Sequence, residues 1–263
     1  MYCATLFVNE DLFTFNPMTP HWSDGFFEGP WVPLHLSFRS PGDIARESEA
    51  VVAFLDLPTG CSVVDIPCGP GDHAIELARR GFHVTGIDRS EVLLEHAKRR
   101  ASKAAVQAVF EHGDMRDVRL GKSFDALLCM WGSVGYFDNA GDRAQIETFW
   151  NLLRPGGVML IDISPLEGIL LNFEPRDTHR VGSMLVTQER SYDGLRQCID
   201  ARWTFEEQGQ RIVKHTSMRL YTVRQWREFL ETIGFEDVQI IDPQTGSAFA
   251  LGSFHAWIRA RRP

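Results

Sequence analysis

The sequence predicts an α/β fold: a doubly wound, mostly parallel, seven-stranded sheet with a small antiparallel sheet inserted late in the chain. Three observations predict it. Short apolar runs alternate with amphipathic helical patterns through residues 43–163, which is the signature of βαβ units. Leu195–Glu206 switches to a period of two, as a half-exposed antiparallel strand does. The chain's 263 residues, 44% hydrophobic and 24% charged, are enough to bury one large core without disulfides.

Taken in order, residues 1–42 are rich in aromatics and proline, with Phe26, Phe27, Trp31 and Phe38 among Pro30, Pro33 and Pro41. Regular structure is expected to be sparse there. Such a segment must bury its rings, either as permanent packing on the core or as a lid over a ligand. Ile44–Leu57 reads as an amphipathic helix ended by Pro58 and Gly60. Strands are expected at Ser62–Ile66, His83–Ile87, Val106–Phe110, Phe124–Met130 and Val158–Ile163. Helices fall between them: Asp72–Arg80 stopped by Gly81, a helix from the N-cap candidate Ser90 to about Ser102, and Gln145–Leu153.

Met184–Tyr192, Leu195–Glu206 and Arg211–Tyr221 form a three-stranded antiparallel insertion, turning at Asp193-Gly194 and Gln208-Gly209. Thr222 caps a helix over Val223–Thr232 that Gly234 ends, and Val238–Ile241 and Phe254–Ala260 complete the main sheet. The organisation is therefore an N-terminal lid or cap, residues 1–42, on a main domain, residues 43–263, with the insertion at about 171–221.

The formal net charge of −8 argues against a protein built to grip nucleic acid, because no basic field steers phosphate. The five cysteines are odd in number and form no CxxC pair, so neither a disulfide framework nor a structural zinc site is expected. No apolar run reaches the roughly 18 residues that span a bilayer. The first residues include Glu10 and Asp11 without a basic start. The expected location is cytoplasmic, with no membrane partner, no metal, and an open oligomeric state.

Chemistry concentrates at Val63–Ala74, a buried strand, a Gly/Pro turn and a helix start. Gly69 and Gly71 allow a ligand to approach the backbone, and a helix N-terminus offers N–H groups to an anion. Gly69-x-Gly71-x-x-Ala74, with Asp88 about 17 residues later, also fits a dinucleotide fingerprint. Asp65 speaks against that reading, since an acid inside the first strand suits an ammonium group, and 40–60 residues precede this strand.

Further motifs add to the turn. VVDIPCGPG, VTGIDRS, HGDMRD, FDALLCMWGSVGYF and LLRPGGVMLID, in this order over about residues 60–165, resemble the motif series of class I S-adenosylmethionine-dependent methyltransferases. NFEPRD, RLYT and the helix ending at IGF resemble a small-molecule branch of that superfamily. The resemblance implies a Rossmann-like sheet and S-adenosyl-L-methionine as cofactor. By the same resemblance, Asp65, Pro67, Cys68, Gly69, Gly71 and His73 line the methionine portion. Asp88 holds the ribose hydroxyls, Arg89 and Ser90 border the adenosine, and Asp114 and Met115 hold the adenine. Trp131, Gly132 and Ser133 lie beneath the transferring methyl. Pro67 departs from the family's usual glycine and removes an N–H, so Cys68, Gly69 and Gly71 are expected to present theirs instead.

Methyl transfer from a sulfonium is an in-line displacement, accelerated by positioning and sometimes by a base. Tyr136, just after the fourth strand, is placed to orient the acceptor or else to pack beneath the roof. Glu167 is a candidate base, as are His21, His35, His73, His179 and His215. Arg176 and Arg219, with Arg180 and Arg224, either bind an anionic acceptor or form a solvated strand face. Arg39 could reach the cofactor carboxylate. The expected activity is methyl transfer to a small molecule. A macromolecule (RNA or protein) methyltransferase, an NAD-dependent oxidoreductase and a silent scaffold are the alternatives.

Overall fold

The computed structural model describes residues 21–263. Phe13, Phe15 and the remainder of the first twenty residues lie outside the described part. The main sheet contains β1 (Ser62–Asp65), β2 (His83–Asp88), β3 (Ala108–His112), β4 (Phe124–Cys129), β5 (Leu153–Ile163), β10 (Glu236–Ile241) and β11 (Ala256–Arg261). Its order is β10-β11-β5-β4-β1-β2-β3, and β11 alone of these runs antiparallel to its neighbours. Order reverses at β1, between β2 and β4, and the carboxyl ends there form the crevice in which an open α/β sheet binds ligand.

The expected doubly wound, mostly parallel sheet is therefore what the chain forms. Helices α3 (Pro41–Leu55), α4 (Asp72–Arg79) and α5 (Glu91–Lys103) cover one face, with Val51, Leu55, Leu77, Leu94 and Ala97 buried on Val63, Ala126 and Leu128. Helices α6 (Asn139–Leu152) and α8 (Val223–Ile233) cover the other, where Phe149, Trp226 and Leu230 pack on Val64, Leu127 and Ile161. Both strand faces are buried, which explains continuous apolar runs in place of alternation.

Over this core lies a second, antiparallel sheet of β6 (Arg176–Val181), β7 (Met184–Asp193), β8 (Cys198–Glu207) and β9 (Gln210–Arg219), in that order. The sequence signalled three of the four. β6 is exposed along most of its length, so no alternation marked it. α1 (Ser23–Phe26) and α2 (Trp31–Ser37) pack against this sheet, with Phe26, Trp31 and Leu34 buried beside Met184, Val186 and Phe205.

Within the described residues 21–42, those two helices give more regular structure than the sequence led one to expect. Pro30 precedes α2 and Pro33 falls in its first turn, where a missing N–H loses no helical bond. Pro41 likewise starts α3, behind a capping box of Ser40 and Asp43. Other boundaries moved for similar local reasons. Asp138 caps α6, which starts at Asn139, six residues before the expected start at Gln145. β3 lies two residues later than expected, because only Phe110 of its side chains is buried. The short helix α7 (Leu166–Leu171) was not foreseen. Thr222 caps α8 and Gly234 ends it in the left-handed region, as the sequence indicated. Among the described residues, no helix is long and apolar enough to cross a membrane.

Candidate functional site

A cavity of about 650 Å³ opens where the carboxyl ends of β1, β2 and β4 face the second sheet and α1–α2. Its floor is Asp65–Pro70, Asp88, Asp114, Met115 and Met130–Ser133. Its roof includes Trp22, Phe27, Trp31, Tyr136, Trp203 and Met218.

The floor begins at Asp65, the last residue of β1 and 2% exposed. Burial pushes its carboxyl up to about 7, opposed chiefly by His73, and it accepts from the Ala74 N–H. It thus takes up one N–H of the first turn of α4. Its Oδ2 is buried without a hydrogen-bond partner. A buried, unpartnered carboxyl oxygen fits the ammonium group that the acid's position implied.

The turn that follows does not present its N–H groups to a ligand. Cys68 N–H donates to the Ile87 carbonyl (2.8 Å), Gly69 N–H to Oδ2 of Asp88 (2.8 Å), and Gly71 N–H to the Cys68 carbonyl (3.0 Å). What the turn offers is close approach. Gly69 has φ +52° and a backbone that faces the cavity. Gly71 lies behind the wall: with φ +81°, a Cβ there would stand 2.9 Å from Cβ of Ala97. It is required for packing on α5.

Asp88 is buried, and burial pushes its carboxyl upward. Gly69 N–H and Ser90 N–H hold one carboxylate oxygen each, at 2.8 Å, which orients the group at the cavity edge. Ser90 does not line the cavity; its hydroxyl caps α5 by accepting from Leu93 N–H. Asp114 is gripped by Arg116 through Nε (3.0 Å) and Nη2 (2.7 Å), and this pairing lowers its pKa. Met115 is buried beside it, and Gln145 Nε2 lies 3.2 Å from its sulfur. Arg89 lines the cavity and pairs with Asp24 at 2.7 Å, tying α1 to the core.

After β4 the backbone of Trp131 and Gly132 passes through the left-handed region, each at φ +65°. Asp162, at the end of β5, fixes this bend: its carboxylate accepts Trp131 N–H (3.0 Å) and its carbonyl accepts Gly132 N–H (3.2 Å). Tyr136 sits under the roof, its ring 4.9 Å from Trp22 and stacked with Phe27 at 5.7 Å. Burial raises its hydroxyl pKa, and the hydroxyl is hydrogen-bonded to Ser133.

Four further candidates lie away from the cavity wall. Glu167, expected as a base, accepts from Val223 N–H (3.2 Å) at the start of α8, a capping role. Arg176 is exposed on the edge strand β6. Arg219 donates its N–H to the Gly135 carbonyl (2.6 Å) and its Nη1 to the Arg196 carbonyl (3.1 Å), which locks β9 to the loop after β4. No arginine cluster forms from these. The cation on the roof side of the cavity is Arg190, held by Gln188 and the Glu174 carbonyl. Arg39 stacks on Trp131, 3.6 Å from the ring centroid, and pairs with Glu47.

Among the histidines, His35 and His73 line the cavity. Burial lowers His35 to about 4, and also lowers His73. Sequence reasoning missed Glu47, Arg116 and Asp162. Arg116 and Asp162 stand inside the quoted runs HGDMRD and LLRPGGVMLID, but the motif reading gave neither a role; Arg116 acts on its neighbour Asp114, Asp162 on the distant Trp131, and Glu47 lies in no motif, on one face of α3.

Residues 63–157 match the family model described as a methyltransferase domain. The chain is 35% identical over 106 residues to a dTDP-3-amino-3,4,6-trideoxy-alpha-D-glucopyranose N,N-dimethyltransferase of Streptomyces venezuelae, covering 40% of this chain and 43% of that protein. It is 33% identical over 118 residues to glycine N-methyltransferase of Rattus norvegicus, covering 39% and 40%. The chain thus spans less than half the length of these curated relatives. Its fold is similar to that of the CcbJ methyltransferase of Streptomyces caelestis (TM-score 0.74, 17% identity, 87% and 94% coverage). It is also similar to that of the sugar N-methyltransferase KedS8 of a Streptoalloteichus species (TM-score 0.68, 19% identity, 95% and 99% coverage).

Proposed function

We propose that this chain is a class I S-adenosylmethionine-dependent methyltransferase, built on the methyltransferase domain that residues 63–157 match, and that it methylates a small-molecule amine. The observation that carries the reading is a single cavity whose floor suits the cofactor and whose aromatic roof suits a small acceptor. Its volume lies within the roughly 300–1,000 Å³ of small-molecule sites.

The floor residues fit the cofactor group by group. Asp65 Oδ2 would pair with the ammonium, and Asp88, already oriented by two N–H groups, would accept from the ribose hydroxyls. Asp114 would accept from the adenine amine, with Met115 against the ring. When bound, the cofactor supplies an electrophilic methyl on a sulfonium. Aromatic faces stabilise such a cation and exclude water, and Trp131 and Tyr136 are placed to provide them.

The amine follows from the charge of the wall. Asp65, Asp72, Asp88, Asp114, Glu174 and Asp177 line the cavity, against Arg89 and Arg190. This field draws in cations and disfavours anionic acceptors. His35, kept neutral at physiological pH by burial, holds an imidazole lone pair at the wall that can accept a hydrogen bond from an amine N–H. Tyr136 orients the acceptor from the roof. The amino-sugar and glycine N-methyltransferases among the relatives support the same class of acceptor.

The test is transfer of labelled methyl from S-adenosylmethionine to amino sugars and other small amines, beside matched alcohols and carboxylic acids. Thermal shifts with S-adenosylhomocysteine and with NADH run in parallel. Label on amines and stabilisation by S-adenosylhomocysteine are expected. Label confined to alcohols, or to RNA or protein, rejects the acceptor class. Stabilisation by NADH and not by S-adenosylhomocysteine rejects the enzyme class.

A further inference from the structure

Helix α3 contributes nothing to the cavity wall directly, yet one of its side chains meets three residues around the cofactor end of it. Oε2 of Glu47 pairs with Arg39, lies 2.8 Å from Nε2 of His73, and accepts from the indole N–H of Trp131 at 3.2 Å. Arg39 precedes α3, His73 opens α4 and Trp131 follows β4. The Ser40–Asp43 capping box and Pro41 fix where α3 starts, and Ile44, Ser48 and Val51 turn inward. Glu47 lies between these inward positions, half-buried, facing the turn after β1.

We infer that Glu47 is a positioning residue for the amino-acid end of the cofactor site, acting through Arg39, His73 and Trp131. The inference rests on the methyltransferase reading above. A carboxylate against Nε2 of His73 sets that nitrogen as the donor and leaves Nδ1 as the acceptor. His73 is 5% exposed and stands on the cavity wall beside Asp65, whose free oxygen faces the expected ammonium. Trp131 holds a left-handed backbone conformation that a bulky residue rarely adopts. It is pinned at its backbone N–H by Asp162 and at its indole by Glu47, while the Arg39 guanidinium covers the ring at 3.6 Å. Removing the carboxylate frees the His73 ring, unties one end of Trp131 and leaves Arg39 without its partner. None of these groups faces Asp114 or Met115, so the adenosine end should not feel the change.

That separation gives the test. S-adenosylhomocysteine carries the amino-acid group; 5′-methylthioadenosine has the same nucleoside and thioether without it. Both are titrated by calorimetry against the wild-type chain, Glu47→Ala and Glu47→Gln. Glu47→Ala should weaken S-adenosylhomocysteine about 10-fold, the scale for a lost charge-assisted hydrogen bond, and leave methylthioadenosine within about 2-fold. Glu47→Gln, which keeps an acceptor oxygen without the charge, should recover part of the loss and serves if the alanine variant does not fold. In turnover the same variants should raise the KM for S-adenosylmethionine more than they lower kcat. Equal weakening of both ligands, or no weakening of either, overturns the inference and makes Glu47 a structural brace. A wild-type chain that binds neither nucleoside rejects the methyltransferase reading itself, and the inference with it.

Discussion

The floor and the roof of the cavity are built by different physics. The floor comes from one continuous run, Asp65 to Ser133, and its polar groups are fixed by short hydrogen bonds at strand ends. The roof is gathered from α1–α2, from Tyr136 in the loop after β4, and from strands up to about two hundred residues from α1, and its members meet mostly as aromatic rings 4.9–5.9 Å apart. Directional bonds specify one ligand closely, whereas ring packing specifies a volume and excludes water.

The largest effect is expected at the seam between the two parts. Gly135, at φ +77°, accepts from Arg219 N–H, and a Cβ there would lie 2.2 Å from the Arg219 carbonyl oxygen. Gly135→Ala should cost about 2–5 kcal/mol, from left-handed strain and backbone displacement together. Thermal unfolding measures it. A loss below about 1 kcal/mol would mean that roof and floor are not locked at this point.

Next comes the floor alone. Asp88→Ala should weaken S-adenosylhomocysteine by about 1–3 kcal/mol, the cost of leaving polar partners unmatched. Methylthioadenosine should weaken equally, since it retains the ribose. Tyr136→Phe is the roof counterpart: acceptor turnover should fall while S-adenosylhomocysteine affinity holds. Unchanged cofactor affinity in a folded Asp88 variant removes Asp88 from the site. A Tyr136 variant with full turnover leaves that ring as packing only.

A pH effect separates the two parts further. Asp65 is raised from 3.8 to about 7 by burial, so the folded chain favours its neutral form. Its ionisation therefore reduces stability as pH rises from about 4 through 7. An ammonium beside it favours the carboxylate, so binding should release a proton below pH 7. S-adenosylhomocysteine affinity should rise between about pH 5 and 7 and level off above. Asp65→Asn should flatten the profile, and acceptor variants should leave it unchanged. A profile identical in wild type and Asp65→Asn would take the ammonium away from Asp65.

The same contrast decides what could be read from the sequence. Asp65, Asp88 and Asp114 each end or follow an apolar run, where a charge stands out, and the turn glycines mark the crevice. The alternation in β8 marked the second sheet. What stayed hidden depends on distance along the chain. Glu47 looks like any polar position of an amphipathic helix, and Asp162 like the end of a strand. Arg219 and Glu167 carried the right chemistry but point into joints between elements. Exposed β6 and the short helices α1, α2 and α7 have too few buried side chains for periodicity to show.

The smallest effect tests whether the roof is a separate unit. Lys214, on β9, places its Nζ 2.6, 2.9 and 2.7 Å from the carbonyls of Gly25, Phe26 and Glu28, closing the C-terminal end of α1. Across the cavity, Arg89 pairs with Asp24 of the same helix. Lys214→Met keeps the apolar stem and removes three bonds. The loss should be about 0.5–1.5 kcal/mol, because the ammonium is partly exposed and its bonds compete with water. Hydrogen exchange should quicken in residues 21–37 and stay unchanged in β1, β4 and β5, with S-adenosylhomocysteine affinity unaltered. Faster exchange that spreads into those central strands would mean that roof and floor unfold together, and the division between them would fail.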